Sequence, residues 1–150
     1  HYRASFNKKT YTKQLRGYSM YGKPVAVLEF GCCTYKGAAE KGAGGFMILG
    51  IKDGAPYIKG NYVRDETVQA DYIIEVLDLL KPEKIYGAFV FTFVMTSSKF
   101  NPDPKHDIDM ASFGIVKPFD SASGNSYKGM PWLPKESYYR LGKYYKDMEK

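Results

Sequence analysis

The sequence predicts an α/β protein built on parallel strands, and three observations predict it. Two apolar, β-prone runs, Val25–Phe30 and Tyr86–Phe93, each follow a segment of helical spacing; each is followed by a long loop; and a third helical segment closes the chain. Alternation of this kind joins parallel strands through helical crossovers. Both long loops leave a strand and enter a helix, the edge on which parallel α/β folds build their sites. The helix-to-strand connections are short. This asymmetry marks one edge of the sheet as functional before any motif is considered.

Taken in order, residues 7–21 place Tyr11, Leu15 and Tyr18 at helical spacing with basic residues between them. Asn7 is the expected N-cap and Gly22 the stop. Val25-Ala26-Val27-Leu28-Glu29-Phe30 reads as a strand buried on both faces, ended by Gly31. Residues 31–64 are irregular and glycine-rich, with a short hairpin expected between Phe46–Leu49 and Tyr57-Ile58 around Lys52-Asp53-Gly54. A second helix is predicted from about Asp65 to Leu80, with Ala70, Ile73, Ile74, Leu77 and Leu80 as its apolar stripe and Pro82 closing it. The strand Tyr86–Phe93 follows. Residues 94–131 form the second long loop, with a brief extension at Gly114–Lys117. The last helix is expected to begin near Pro134 and to carry Tyr138, Leu141, Tyr145 and Met148 on one face. Without internal repeats or low-complexity tracts, residues 1–150 read as a single domain.

Composition narrows the function classes. The hydrophobic and charged fractions, 44% and 25%, are those of a folded chain. Fourteen tyrosines and nine phenylalanines against one tryptophan suit a wet cleft, an interface or a helix boundary without choosing among them. The net charge of +6 is unevenly placed. Residues 1–28 hold Arg3, Lys8, Lys9, Lys13, Arg16 and Lys23 and no acid, and the remaining basic and acidic residues cancel. Such a segment is a solvated helix face, a surface for an acidic partner, or a contact to nucleic acid. No nucleic-acid-binding motif accompanies it, so nucleic acid is not the expected partner. No apolar run is long enough to span a membrane, and no membrane partner is expected. Cys32 and Cys33 are adjacent, a geometry that disfavours a mutual disulfide, and two cysteines fall short of a structural zinc site. They read as reduced thiols, which points to the cytoplasm. No cofactor and no metal are expected. The absence of an initiator Met or signal sequence before His1 suggests that the chain begins inside a longer protein.

The segment KPVAVLEFG, Lys23–Gly31, resembles the seventh-strand motif of the retaining glycosidases built on (β/α)8 barrels. GAFVFTF, Gly87–Phe93, resembles their eighth strand, and His1-Tyr2 the end of the sixth. Further stretches, EFGCCTYKGA, NYVRDETVQADY, PDPKHDIDMASFGIVK and MPWLPK, are similar, in order and at matching separations, to the C-terminal portion of a barrel family often labelled abortive-infection (phage-resistance) proteins. The resemblance implies the C-terminal part of a TIM (β/α)8 barrel, with strands like the seventh and eighth, a stub of the sixth, three helices and long βα loops. It implies Glu29 as the nucleophile and Tyr2 as its hydrogen-bonding partner. It also implies His1, Phe91 and Phe93 at the sugar, with Phe in place of the Trp usual on the eighth strand. Two or three parallel strands cannot close a barrel. The missing barrel part or a second copy is therefore expected to cover the exposed strands.

Glu29 also stands out without any resemblance, because a carboxylate at the end of an apolar strand is costly unless it is hydrogen-bonded or paired. The competing reading is a structural glutamate held by backbone or by Tyr2 and Arg3. Retaining chemistry needs a second carboxyl about 5–5.5 Å away as general acid/base. In the barrel clan that group comes from the fourth strand, and this sequence supplies no evident substitute. In the last long loop Asp103, His106, Asp107 and Asp109 cluster; the expectation is that His106 and Asp107 line the cleft, with turn-making or cation binding as alternatives, although the spacing does not match an EF-hand. Trp132 reads as an anchor for the last helix. Three functions remain open on these residues: part of a retaining β-glycosidase acting on a carbohydrate, a non-catalytic carbohydrate-binding or phage-defence protein, and an interaction module using the basic segment.

Overall fold

The computed structural model describes residues 8–121 and 127–148. It is a mixed α/β chain with three small sheets rather than one. Helix α1 (Lys8–Ser19) leads into strand β1 (Ala26–Phe30); a short helix α2 (Ala38–Lys41) and a 3-10 turn (Gly42–Ile48) precede the hairpin β2 (Leu49–Lys52) and β3 (Ala55–Ile58). Helix α3 (Glu66–Leu80) and strand β4 (Gly87–Val90) follow, then a loop, β5 (Val116–Pro118), β6 (Trp132–Pro134) and helix α4 (Glu136–Met148). β1 and β4 pair in parallel, joined through α3; β2 with β3 and β5 with β6 are antiparallel.

Local chemistry explains the boundaries. Asp65 caps α3, its side chain accepting a hydrogen bond from Val68 N at 3.2 Å. The hairpin turns on Asp53 and Gly54, both with positive φ (52° and 78°), the backbone that a tight two-residue hairpin requires and that Gly and Asp supply best. The expected Asn7 cap lies outside the described residues.

The parallel pair carries its helices on one side. Leu15 of α1, Ile73, Val76 and Leu77 of α3 and Leu141 of α4 form a buried core with Phe30, and Val27, Ala88 and Val90 of the strands pack against it. The opposite side is open: Leu28 is 72% and Phe89 58% exposed. Among the described residues, β1 is thus not buried on both faces, because one helical layer and one neighbouring strand leave Leu28 exposed on the other. A second core, built on Tyr35, Ile48, Ile58 and Met110, fills the space under the long loop after β1 and its hairpin.

Three further expectations are corrected. β4 stops at Val90 instead of running to Phe93. Phe91 N still donates to Phe30 O, but Thr92 N donates to Phe113 O, and Val116 N donates to Phe93 O, so residues 92–93 have left β1 for the segment that leads into β5. The Phe91–Thr92 peptide is cis. Pro134 belongs to β6, not to the first turn of α4. The β5–β6 ladder holds that residue against Val116 and delays the helix to Glu136. The buried stripe of α4 is accordingly centred on Ser137 and Leu141, with Tyr138 and Tyr144 half-buried, while Tyr145 and Met148 are exposed.

Gly31 is where the first strand meets its long loop, and a side chain there would press into the carbonyl oxygen of Phe91. Gly31→Ala is expected to lower stability by about 1–3 kcal/mol through this backbone clash. Gly142→Ala, in open space on α4, is expected to raise it by about 0.5–1 kcal/mol. Urea unfolding midpoints for the two variants check both signs; equal shifts would contradict the packing at Gly31.

Candidate functional site

The loop edge of the parallel pair begins at an irregularity in β1. Val27 pairs with Ala88 and Phe30 with Val90, so Leu28 and Glu29 together stand opposite the single Phe89. This is a β-bulge, and it breaks the alternation of faces along the strand. Leu28 and Glu29 are consequently both exposed, and Phe30 returns to the core. Glu29 emerges at the strand's C-terminal end, one residue before the Phe30 carbonyl that receives Phe91 N at 2.8 Å.

Phe91 and Phe93, expected together at a sugar, divide. Phe91, 39% exposed, stays beside the end of β1, its ring 6.0 Å from that of Phe113. Phe93 turns toward β6 and α4, meeting Trp132 edge-on at 5.4 Å and Tyr138 at 6.4 Å. Trp132, half-buried between Phe93 and Tyr127, packs where α4 begins, as an anchor would. His1 and Tyr2 lie outside the described residues.

His106 and Asp107 are neighbours in sequence and unlike in setting. His106 is exposed, its Nδ1 2.6 Å from Asp103 Oδ2. Asp107 is buried, and both its carboxylate oxygens are held by Arg64, Nε to Oδ2 at 2.8 Å and Nη2 to Oδ1 at 3.0 Å. Cys32 and Cys33 are fully buried thiols. Burial pushes the Cys32 thiol up to about 12 and raises Cys33 as well, so neither is a thiolate nucleophile at neutral pH.

A second polar centre, unforeseen in the sequence, lies behind this edge. Asp109 has no exposed surface, and its Oδ2 receives Arg64 Nη2 at 2.7 Å and Lys135 Nζ at 2.9 Å. Ser112 Oγ donates to its Oδ1 at 2.7 Å. Arg64 also reaches Glu66 at 3.1 Å, and Glu66 receives Lys117 Nζ at 2.8 Å and Glu136 N at 3.1 Å. Three cations and three carboxylates therefore balance. Burial opposes the charge on Arg64, yet its bonds to Asp107 and Asp109 hold the guanidinium firmly protonated. Burial pulls the Lys135 amine below its ordinary value, with Asp109 opposing. Burial likewise disfavours the charge on Glu66, but Lys117, Glu136 N and Arg64 outweigh it and hold the carboxyl below the usual range. Gln69 completes the frame, donating to Cys32 O at 2.7 Å and Gly114 O at 3.1 Å while accepting from Ser137 Oγ at 2.7 Å.

This network fixes both long loops to α3 and α4. Its centre, Asp109 with Lys135, is fully buried, and its charged groups are paired with one another, so the arrangement positions the loops. Arg64 and Lys135 were not singled out in the sequence, because they lie far apart along the chain and only the fold brings them to the same carboxylate. Among the described residues, no group of three or more His, Cys, Asp or Glu is placed to hold a metal ion, and no helix is long and apolar enough to cross a membrane.

By its fold the chain belongs to the mixed α/β class. Beyond that class, no family model matches it, and no curated protein matches it either.

Removing one partner of a buried ion pair strands the other. Asp109→Asn leaves Lys135 without its counter-charge and is expected to cost about 3–5 kcal/mol. Lys135→Met is expected to cost less, since Asp109 keeps Arg64 and Ser112. Paired urea titrations decide; a larger loss for Lys135→Met would contradict the central role of Asp109.

Proposed function

We propose that this chain is the nucleophile-bearing C-terminal part of a glycoside-hydrolase-like (β/α)8 barrel, and that Glu29 attacks the anomeric carbon of a β-glycoside. The observation that carries the reading is the bulge of β1, which brings a carboxylate out at the loop edge of a parallel strand pair, beside Phe91. Helices on one side and an open apolar side, with Leu28 and Phe89, fit two neighbouring staves of a barrel. Tyr2 would orient the nucleophile, and His1, Phe91, Phe93 and His106 would contact the sugar. Asp107 belongs to the rim as the clamp that seats its loop. The general acid comes from elsewhere, because Asp107 and Asp109 are committed to Arg64 and Lys135.

That commitment favours a second reading: a carbohydrate-binding or phage-defence protein on a barrel scaffold, without catalysis. An activated 2-deoxy-2-fluoro-β-glycoside separates the two, because its leaving group departs without protonation and the first step needs only the nucleophile. A covalent glycosyl adduct on the peptide containing Glu29, absent from Glu29→Gln, is the expected result by mass spectrometry. Sugar binding of equal strength in both proteins with no adduct would replace catalysis by recognition.

The open side of the strand pair requires a cover, either the remaining barrel strands or a second copy of the chain. Sedimentation is expected to show association that Leu28→Lys with Phe89→Lys weakens. A compact, stable monomer at the same concentrations would contradict the barrel reading.

A further inference from the structure

Most of the charge of α1 is not used by the fold; among the described residues only Arg16 is tied to another element. Its apolar side, Leu15 with Tyr11, packs on the core, whereas Lys9, Lys13 and Arg16 form a file at i, i+4 and i+7 spacing along the outside. With Thr12 they line an open depression. Residues 8–28 include Lys8 and Lys23 as well and no acid, and among the described residues Lys9, Lys13 and Lys23 make no ion pair. Like charges a turn apart destabilise a helix, so the file persists against a local penalty. Immediately beyond it the chain exposes Tyr18 (54%), Met20 (79%) and Tyr21 (72%).

The file already holds one carboxylate. Glu83, from the turn after α3, receives Arg16 Nε at 2.9 Å and Nη2 at 2.7 Å. Along the surface the order is therefore cationic at Lys9 and Lys13, neutralised at Arg16, apolar from Tyr18 to Tyr21, and cationic again at Lys23. A nucleic acid offers unbroken negative charge and would run into both Glu83 and the apolar stretch. A bilayer asks for an apolar helix face, and that face of α1 is committed to the core. A polypeptide can match the order, with acids toward Lys9 and Lys13 and apolar side chains toward Tyr18, Met20 and Tyr21. Tyr and Met are also residues that interface centres favour, with charge at the rim.

We propose that the outer side of α1 and the turn after it form a docking surface for an acidic polypeptide segment whose carboxylates precede a short apolar stretch. The surface is separate from Glu29 and stands whether or not that residue is catalytic.

Selection of binders from a random peptide library with the folded protein tests it, with a single-stranded RNA oligonucleotide and vesicles of phosphatidylcholine and phosphatidylserine as parallel probes. The expected peptides carry Asp or Glu ahead of apolar residues. Their affinity should fall about tenfold or more in Lys9→Glu/Lys13→Glu and fall again in Met20→Ser, with unchanged circular dichroism. Peptides without acidic bias, binding that survives the charge reversal, or tighter binding to RNA or vesicles than to the selected peptides would each overturn the proposal.

Discussion

The carboxylate of Asp109 is the point on which the rest of the structure is hung. It lies in the second long loop, yet its partners sit at the entrances to the two main helices, Arg64 just before α3 and Lys135 just before α4. A buried charge is tolerated only when its lone pairs are met by good donors. Here Arg64, Lys135 and Ser112 meet them, and Arg64 extends the same clamp to Asp107 and Glu66. The loops that leave β1 and β4 are thereby held at fixed positions over the helices. Two short parallel strands could not impose that order alone, since each offers only a few ladder bonds.

What the clamp holds in place is an edge. The bulge at Leu28–Glu29 sits where β1 passes into its loop, and Gly31 lets that loop pass against the Phe91 carbonyl. The combination turns a carboxylate outward from a strand whose other residues are apolar. Leu28 and Phe89 are exposed at the same bulge, so a carboxylate and an apolar contact area lie close together along the strand pair. Catalysis at Glu29 and association through the strand pair are therefore coupled expectations. A partner that covers Leu28 and Phe89 must leave the loop edge accessible or contribute to it.

The main elements were legible because their signals are local. The helix α3, with Ala70, Ile73, Leu77 and Leu80 on its buried face, and the Asp53-Gly54 turn each depend on residues close together in sequence, and the structure forms them where expected. Glu29 was legible as an acid ending an apolar run. The bulge that exposes it was not, because it arises from pairing with β4. The β5–β6 ladder was hidden for the same reason: Trp132–Pro134 is a strand only because Val116–Pro118 lies alongside. That pairing shortened β4, moved the start of α4 and changed its buried stripe. The ion network was the least legible feature. Asp107 and Asp109 read as loop acids lining a cleft or making turns until the fold carried Arg64 and Lys135 to them.

The central claim, that Glu29 faces a sugar at the loop edge, is tested most directly by carbon-detected NMR of the glutamate carboxyls during titration with an iminosugar. A site at Glu29 predicts a saturable shift of its carboxyl resonance while that of Glu66, locked to Lys117 and Arg64, stays in place. A Glu29 signal that never moves, or one that moves together with every exposed carboxylate, would contradict it.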